Sequence, residues 1–214
     1  MSPDYRIPTP ISPGDLDRAA GVLASAFHDD PLWQFLIPET GRREQTLDAF
    51  FRAVLTFSFT NQSVYGAGEP LAAVAVWGFP GQAKAKVASQ VLVRFLKLAA
   101  GPFLFSAFRA RGVFSRFERM QKKYAPDPHY YLQTVGVAPQ AQGQQLASRL
   151  IRPFLEQADA QGMGAYTETV TPANVTLYEH YGFRVVEECP VTGTGLTCWG
   201  FYRPPVPRIG SDRP

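Results

Sequence analysis

Long hydrophobic runs are missing from this sequence. The most apolar stretch, Val91 to Phe108, is interrupted by Arg94, Lys97, Gly101 and Pro102. A membrane-spanning helix needs about 20 nearly uncharged apolar residues, so no integral membrane segment is expected. Cysteine is scarce as well. Two cysteines cannot build a disulfide framework, and with three histidines they make no zinc pattern, so no metal is expected. Charged residues reach only 18%, which argues against a disordered chain. The net charge of +3 is too mild to point to a nucleic-acid partner. Met1 to Pro10 lacks the basic start and apolar run of a secretory signal. These absences lead to the expectation of a soluble cytoplasmic protein with free thiols. They leave homodimerisation open.

What is present is a core. The chain has 214 residues, 45% of them apolar, which suits one globular domain. Its 18 glycines and 19 prolines exclude a simple helical bundle or coiled coil. Residues 6–11 read as a short first strand. Ser12 and Pro13 then supply the N-cap and first turn of a helix, with Leu16, Ala19, Ala20, Leu23, Ala24 and Phe27 at helical spacing. Asp30-Pro31 reads as punctuation before a second helix over 42–60. Residues 63–67 and 71–79 read as a hairpin turning at Gly68-Glu69-Pro70. Residues 82–123 read as two helices broken at Gly101-Pro102. The second half then alternates: strand 129–138, helix 143–159, strand 164–170, helix 173–181, strands 183–189 and 195–203. This order predicts a single α/β (α+β) domain over 1–204 with a mixed, mostly antiparallel sheet. A Pro-rich tail follows over 205–214.

Two stretches bear on chemistry. In the first, Tyr130 to Ile151, a β-rich run ends at Val137 and a short polar turn leads into a helix. Such a junction places unpaired backbone N–H groups where an anion can sit, although an ordinary strand–turn–helix connection reads the same way. It is neither a Walker loop nor a three-glycine dinucleotide fingerprint. In the second, Gly164 to Phe183, a strand brings up Glu168. A short helix then carries Asn174 and Tyr178 on one face, four residues apart. A phenol at that place can donate a proton to a leaving group, or simply pack on the sheet.

Together the two stretches resemble the GNAT superfamily of N-acetyltransferases. That family's first motif is a strand ending Val-x-Val, then Pro, then Gln/Arg-x-x-Gly-x-Gly/Ala. Here these are Val135-Gly136-Val137, Pro139 and Gln142-Gly143-Gln144-Gln145-Leu146-Ala147. Asn174, Tyr178 and Gly182-Phe183 resemble its later motif. Thr134 to Val137, Pro153, Glu168-Thr169, Cys198 and the strand Ala73 to Trp77 bring the resemblance closer to the puromycin N-acetyltransferase-like branch. Gln145 departs from the pattern, which has Gly there so that a pyrophosphate can approach the backbone. A Gln side chain either crowds the phosphate or donates its N–H to it, and Arg149 one turn later can offset a loss.

The resemblance implies a centrally splayed sheet and direct transfer from acetyl-CoA to an amine within a ternary complex, with no metal. The pantetheine arm would pair with Val135 and Val137 as an added strand. The Val137 N–H would polarise the thioester carbonyl, and residues 142–147 would hold the pyrophosphate. Asn174 would bond the pantetheine arm, and Tyr178 would protonate the departing thiolate. Glu168 is the first choice for the base that deprotonates the amine. The earlier base position of some members falls among His129, Tyr130, Tyr131 and Gln133, which offer none, and His129 reads as a loop residue. The expected acceptor is a small-molecule amine. Two rival readings are a non-catalytic acyl-CoA-binding or regulatory module and a membrane-surface protein anchored by the basic segment Lys84–Lys123. That segment has ten Lys/Arg and one acidic residue, Glu118, and reads more simply as two helices with solvated basic faces. Cys189 and Cys198 are expected to be buried free thiols on neighbouring strands.

Overall fold

A computed structural model of the chain describes residues 8, 10–59, 63–81, 103–191 and 193–207, with side chains from residue 112 onward in the helix that begins at 103. The helices are α1 (Leu16–Ala26), α2 (Pro31–Leu36), α3 (Thr40–Phe59), α4 (Phe103–Tyr124), α5 (Leu146–Ala160) and α6 (Ala173–His180). The strands are β1 (Val64–Ala67), β2 (Ala73–Gly78), β3 (Tyr130–Val137), β4 (Ala165–Thr169), β5 (Arg184–Val191) and β6 (Leu196–Arg203). The strands form one six-stranded sheet in the order β1-β2-β3-β4-β6-β5. All neighbouring pairs are antiparallel except β3 with β4.

Alternation along β2 sets the two layers. Val74 and Val76 pack with α1, α2 and α3, while Ala73, Ala75 and Trp77 pack with α5. α4 adds Val113 and Met120 to the first layer, and α6 adds Tyr178 to the second. In α5, Pro153 deprives the Arg149 carbonyl of its usual i+4 donor, and the next carbonyl, Leu150 O, accepts from Trp77 Nε1 at 3.0 Å. The far end of α5 is tied to β6 by a bidentate pair, Arg203 to Asp159 at 2.6 and 2.7 Å.

Three expectations change. Asp30-Pro31 is not mere punctuation: Asp30 caps α2 by accepting the Leu32 N–H at 2.9 Å, with Pro31 in its first turn. Ser12 precedes a single 3₁₀ turn, Pro13–Asp15, and its hydroxyl donates to Asp15 Oδ2 instead of capping backbone N–H groups. The helix expected from 143 begins at Leu146, because Gly143 and Gln145 are left-handed, at φ +78° and +58°. Of the first strand, Pro10 bridges Tyr65 and Ile11 N–H donates to Val64 O at 3.0 Å; residues 1–7 and 9 lie outside the described residues. So do 82–102, which hold the first of the two helices expected over 82–123 and part of the basic segment, and 208–214 of the tail.

Candidate active site

The sheet opens at its one parallel junction. β3 and β4 pair only at Tyr130 with Ala165 and Tyr131 with Tyr166, after which the ladder ends. The cause is an extra residue in β3. Its register with β2 shifts between Val76, opposite Thr134, and Trp77, opposite Leu132, so Gln133 is left as a bulge. Before the bulge, Tyr130 N–H donates to Gly164 O at 2.9 Å, so the backbone of Tyr130 and Leu132 faces β4. After it, Ala138 N–H donates to Ala72 O at 2.8 Å. Antiparallel pairs alternate, so Gly136 and Thr134 bond to β2. The N–H and C=O of Val135 and Val137 therefore point towards the space from which β4 has diverged. Where backbone pairing stops, a side chain takes over: Thr167 Oγ1 donates to Leu132 O at 3.0 Å.

Gly136 has a packing role. A Cβ there would stand 2.9 Å from both Ala26 Cβ and Leu23 Cδ2. Its lack of a side chain therefore lets α1 lie close on β3.

Beyond the end of β3, the turn Pro139–Ala141 delivers Gln142, Gly143, Gln144 and Gln145, all exposed, to the N-terminus of α5. No side chain caps this helix and no acidic residue sits in its first turn. Leu146 is buried and Ala147 half-buried, anchoring the turn to the core. An uncapped helix start with an open backbone suits an anion. Gln145 holds the left-handed conformation that favours glycine, at a cost of roughly 1–2 kcal/mol.

β4 carries the titratable groups. On the α6 side, Asn174 Nδ2 donates to Thr169 Oγ1 at 3.1 Å, and Tyr178, 5% exposed, hydrogen-bonds with Thr167. Burial pushes the Tyr178 phenol up to about 12, against its hydrogen bond with Thr167, with the charges of Glu168 and Asp30 adding to the rise. On the opposite face, Tyr131 donates its hydroxyl to Glu168 Oε1. Glu168 Oε2 is shielded from solvent and has no hydrogen-bond partner among the described residues. Burial raises Glu168 to about 8, with the Tyr131 hydrogen bond opposing it. Glu168 and Tyr178 thus lie on opposite faces of β4, beside the gap, each close enough for the carboxylate to bear on the phenol.

The remaining candidates also have clear places. His129 is buried, its Nδ1 at 2.7 Å from Asp127 O and its Nε2 at 3.1 Å from Gln121 Nε2, so it is held as a structural residue at the start of β3. Arg149 is exposed on the second turn of α5. Cys189 and Cys198 face each other across β5 and β6, both buried and free. No group of side chains suited to a metal occurs among the described residues.

Sequence reasoning missed two contributors. Asp30 Oδ2 accepts the Thr171 hydroxyl at 2.5 Å, tying the α1–α2 corner to the turn that starts α6. Its Asp-Pro signature marks a helix start, but no local signal points to a partner 141 residues away. Arg43 is buried and donates to the carbonyls of Ile37, His28 and Pro38 at 2.8, 3.3 and 3.1 Å, bracing the same corner.

Residues 110–185 match the acetyltransferase (GNAT) domain family. Among curated proteins, a "Probable serine/threonine-protein kinase" of Dictyostelium discoideum is 24% identical over 192 residues, 82% of this chain. The chain spans only 20% of that protein's length. An "Uncharacterized N-acetyltransferase" of Schizosaccharomyces pombe is 25% identical over 178 residues, covering 79% of this chain and 70% of that protein. Among solved structures, a Corynebacterium glutamicum protein described as histone acetyltransferase HPA2 and related acetyltransferase aligns with a TM-score of 0.61 at 22% identity, over 96% of this chain and 100% of that one. The polyamine N-acetyltransferase of Drosophila melanogaster, which forms N-acetylagmatine, aligns with a TM-score of 0.59 at 15% identity, over 91% and 97%. The chain thus has the GNAT fold: one α/β domain with a mixed six-stranded sheet flanked by helices, carrying a GNAT acetyltransferase domain match over residues 110–185.

Proposed function

We propose that this chain is an acetyl-CoA-dependent N-acetyltransferase that acylates a small-molecule amine by direct transfer in a ternary complex. The observation that carries the reading is the opened β3–β4 junction, with the backbone of Val135 and Val137 aimed into it and a partly unsatisfied glutamate beside it. The GNAT domain match and an amine-acetylating neighbour of the same fold support it. The motifs at Thr134–Val137, Pro153, Glu168-Thr169 and Cys198 support a reading in the puromycin N-acetyltransferase-like branch.

The residues present fit acetyl-CoA. Val135 and Val137 offer an unused β edge to the pantetheine amides, and Gly136 keeps the strand in place against α1. Gln142, Gly143, Gln144, Gln145, Leu146 and Ala147 would hold the pyrophosphate, with Asn174 on the pantetheine arm. The thioester supplies the activated acetyl group. The Val137 N–H would stabilise negative charge developing on the carbonyl oxygen.

Glu168 would take the proton of the amine. A carboxylate raised to about 8 is closer to an amine in basicity than an ordinary glutamate, and is still partly ionised near neutral pH. Tyr178 would serve the leaving thiolate. A phenol near 12 is a weaker acid than a thiol near 8.5. Its main contribution is therefore a hydrogen bond to the thiolate, and complete proton transfer from it is uphill.

A thermal-shift screen followed by a CoA-release assay over an amine panel tests the reading. Acetyl-CoA at a hundred times its dissociation constant stabilises the fold by about 2.7 kcal/mol, and at least one amine then drives CoA release. No shift with millimolar acetyl-CoA removes the reading altogether. A shift without CoA release across the panel leaves an acyl-CoA-binding module.

A further inference from the structure

The base assigned above is buried, and each turnover leaves it holding a proton that must reach solvent. Three strands align an exit. In the sheet register, Gly200 of β6 stands opposite Glu168 of β4 on one side and Glu187 of β5 on the other. Strands lie about 4.8 Å apart, so the two glutamates flank a glycine at roughly 10 Å across the sheet. A Cβ on Gly200 would stand 3.0 Å from Tyr166 Oη and 2.6 Å from Met120 Cε. The missing side chain is therefore what lets the Tyr166 phenol lie over the sheet between the two carboxylates. Tyr166 is 0% exposed, and its hydroxyl has no hydrogen-bond partner among the described residues. The same is true of Glu168 Oε2. Two neighbouring buried polar atoms without partners are uncommon in a folded protein and ask for a use. Glu187 reaches the surface, where its Oε2 meets Lys123 Nζ of α4 at 3.1 Å.

Resting on Glu168 as the base, we propose that Tyr166 relays the amine's proton from Glu168, over Gly200, to Glu187 and solvent. The ammonium or attacking nitrogen gives its proton to the Glu168 carboxylate, which becomes a neutral acid. Glu168 Oε2 and Tyr166 Oη do not bond each other directly, so that proton passes to the Tyr166 oxygen through one water. In the same event the Tyr166 O–H proton moves on, through a second water, to the Glu187 carboxylate, which releases it to solvent. Each oxygen ends as it began, and no electron changes hands.

At the outer end Tyr124 also hydrogen-bonds with Glu187, and the remaining groups on this face are engaged elsewhere or stay neutral. Tyr131 is engaged with Glu168, and both ring nitrogens of His129 are engaged. Burial raises Cys189 and Cys198, keeping both thiols neutral. Arg116 and Lys123 of α4 carry charge at the outer end, where Arg116 donates to Pro190 O at 3.2 Å.

The test uses the full chain with acetyl-CoA and an amine accepted by the wild type. Tyr166→Phe removes only the unpartnered hydroxyl, so its melting temperature should stay at or above that of the wild type. Its kcat should fall about tenfold or more with both KM values within about twofold. Its solvent deuterium isotope effect on kcat should rise, and tens of millimolar imidazole should restore part of the loss. Glu187→Gln should show a smaller kcat loss, about threefold to tenfold, of the same kind, and it carries the test if the Phe variant does not fold. Wild-type kcat in Tyr166→Phe, or in Glu187→Gln where the Phe variant does not fold, or a loss with no change in isotope effect and no buffer rescue, overturns the relay. Glu168→Gln separates the two levels. If that variant keeps wild-type activity, the base assignment itself fails. If it is inactive while Tyr166→Phe is normal, only the relay fails.

Discussion

Thr167 and Thr169 project from one face of β4, Tyr166 and Glu168 from the other, and the two pairs are hydrogen-bonded to very different degrees. On the α6 side, Thr167 serves Leu132 O and Tyr178, and Thr169 Oγ1 accepts from Asn174 Nδ2 and from the Thr171 N–H at 3.1 Å each. On the α4 side, among the described residues, Glu168 has one oxygen bonded and one bare, and the phenol beside it is bare as well. Leaving a buried polar group unpaired costs about 1–3 kcal/mol. The saturated face suits holding and orienting a ligand. The unsaturated one carries a standing cost that a reacting partner would relieve.

The largest effect expected from breaking this contrast is at Glu168. Glu168→Gln keeps the shape and the Tyr131 contact but cannot accept a proton. Its kcat/KM should fall on the order of 10³-fold. In the wild type, kcat/KM should rise with pH and level off above about 8, because only the carboxylate form acts as base. A variant within tenfold of the wild type would mean that the bare oxygen has no chemical use.

Next comes the saturated face. Tyr178→Phe keeps the ring, which packs on Phe183 and Phe201 at centroid distances of 5.9 and 5.3 Å. Turnover should drop about 10²-fold, the low end for such a group, with the acetyl-CoA dissociation constant nearly unchanged. Calorimetry together with steady-state rates would show whether binding and turnover separate in this way.

The standing cost can be read without substrate. Glu168 is raised to about 8 in the fold from 4.5, so between those values the folded state binds more protons than the unfolded state. Stability must then fall as pH rises across that window. Glu168→Gln lacks this slope and should be the more stable protein at pH 8, by on the order of 2 kcal/mol. Parallel melting curves at pH 5 and pH 8 measure the difference.

The smallest effect lies in the loop that leads into α5. Gln145→Gly relieves a left-handed backbone and should add about 1 kcal/mol of stability. Its acetyl-CoA affinity sharpens the assignment. Tighter binding means that the Gln side chain crowds the phosphate, and weaker binding means that its amide donates to it.

Much of this was legible in the sequence because it is local. The strand Ala73 to Trp77 reads directly from its apolar run, and the facing of Cys189 and Cys198 follows from their neighbouring strands. The junction after Val137 was legible too, although its helix start was drawn three residues early, at 143 in place of Leu146. A lone Gly143 in a polar stretch does not disclose that Gln145 is left-handed as well. Glu168 stood out as a carboxylate on a strand. That Tyr131 is its partner, and that Tyr166 lies over Gly200, depend on register between strands far apart in sequence, which no local pattern encodes. The Asp30–Thr171 contact was hidden for the same reason.

The bulge at Gln133 has a consequence for amide exchange. By changing which residues of β3 bond to β2, it gives the strand two kinds of N–H in alternation. Those of Thr134 and Gly136 are locked into the ladder, while those of Val135 and Val137 face a seam between strands, a sheet edge inside the molecule where other chains cannot reach it. In the free protein, hydrogen–deuterium exchange along this strand should therefore alternate slow and fast residue by residue. A ligand that occupies the seam as a strand would slow the fast pair and leave the slow pair as it was.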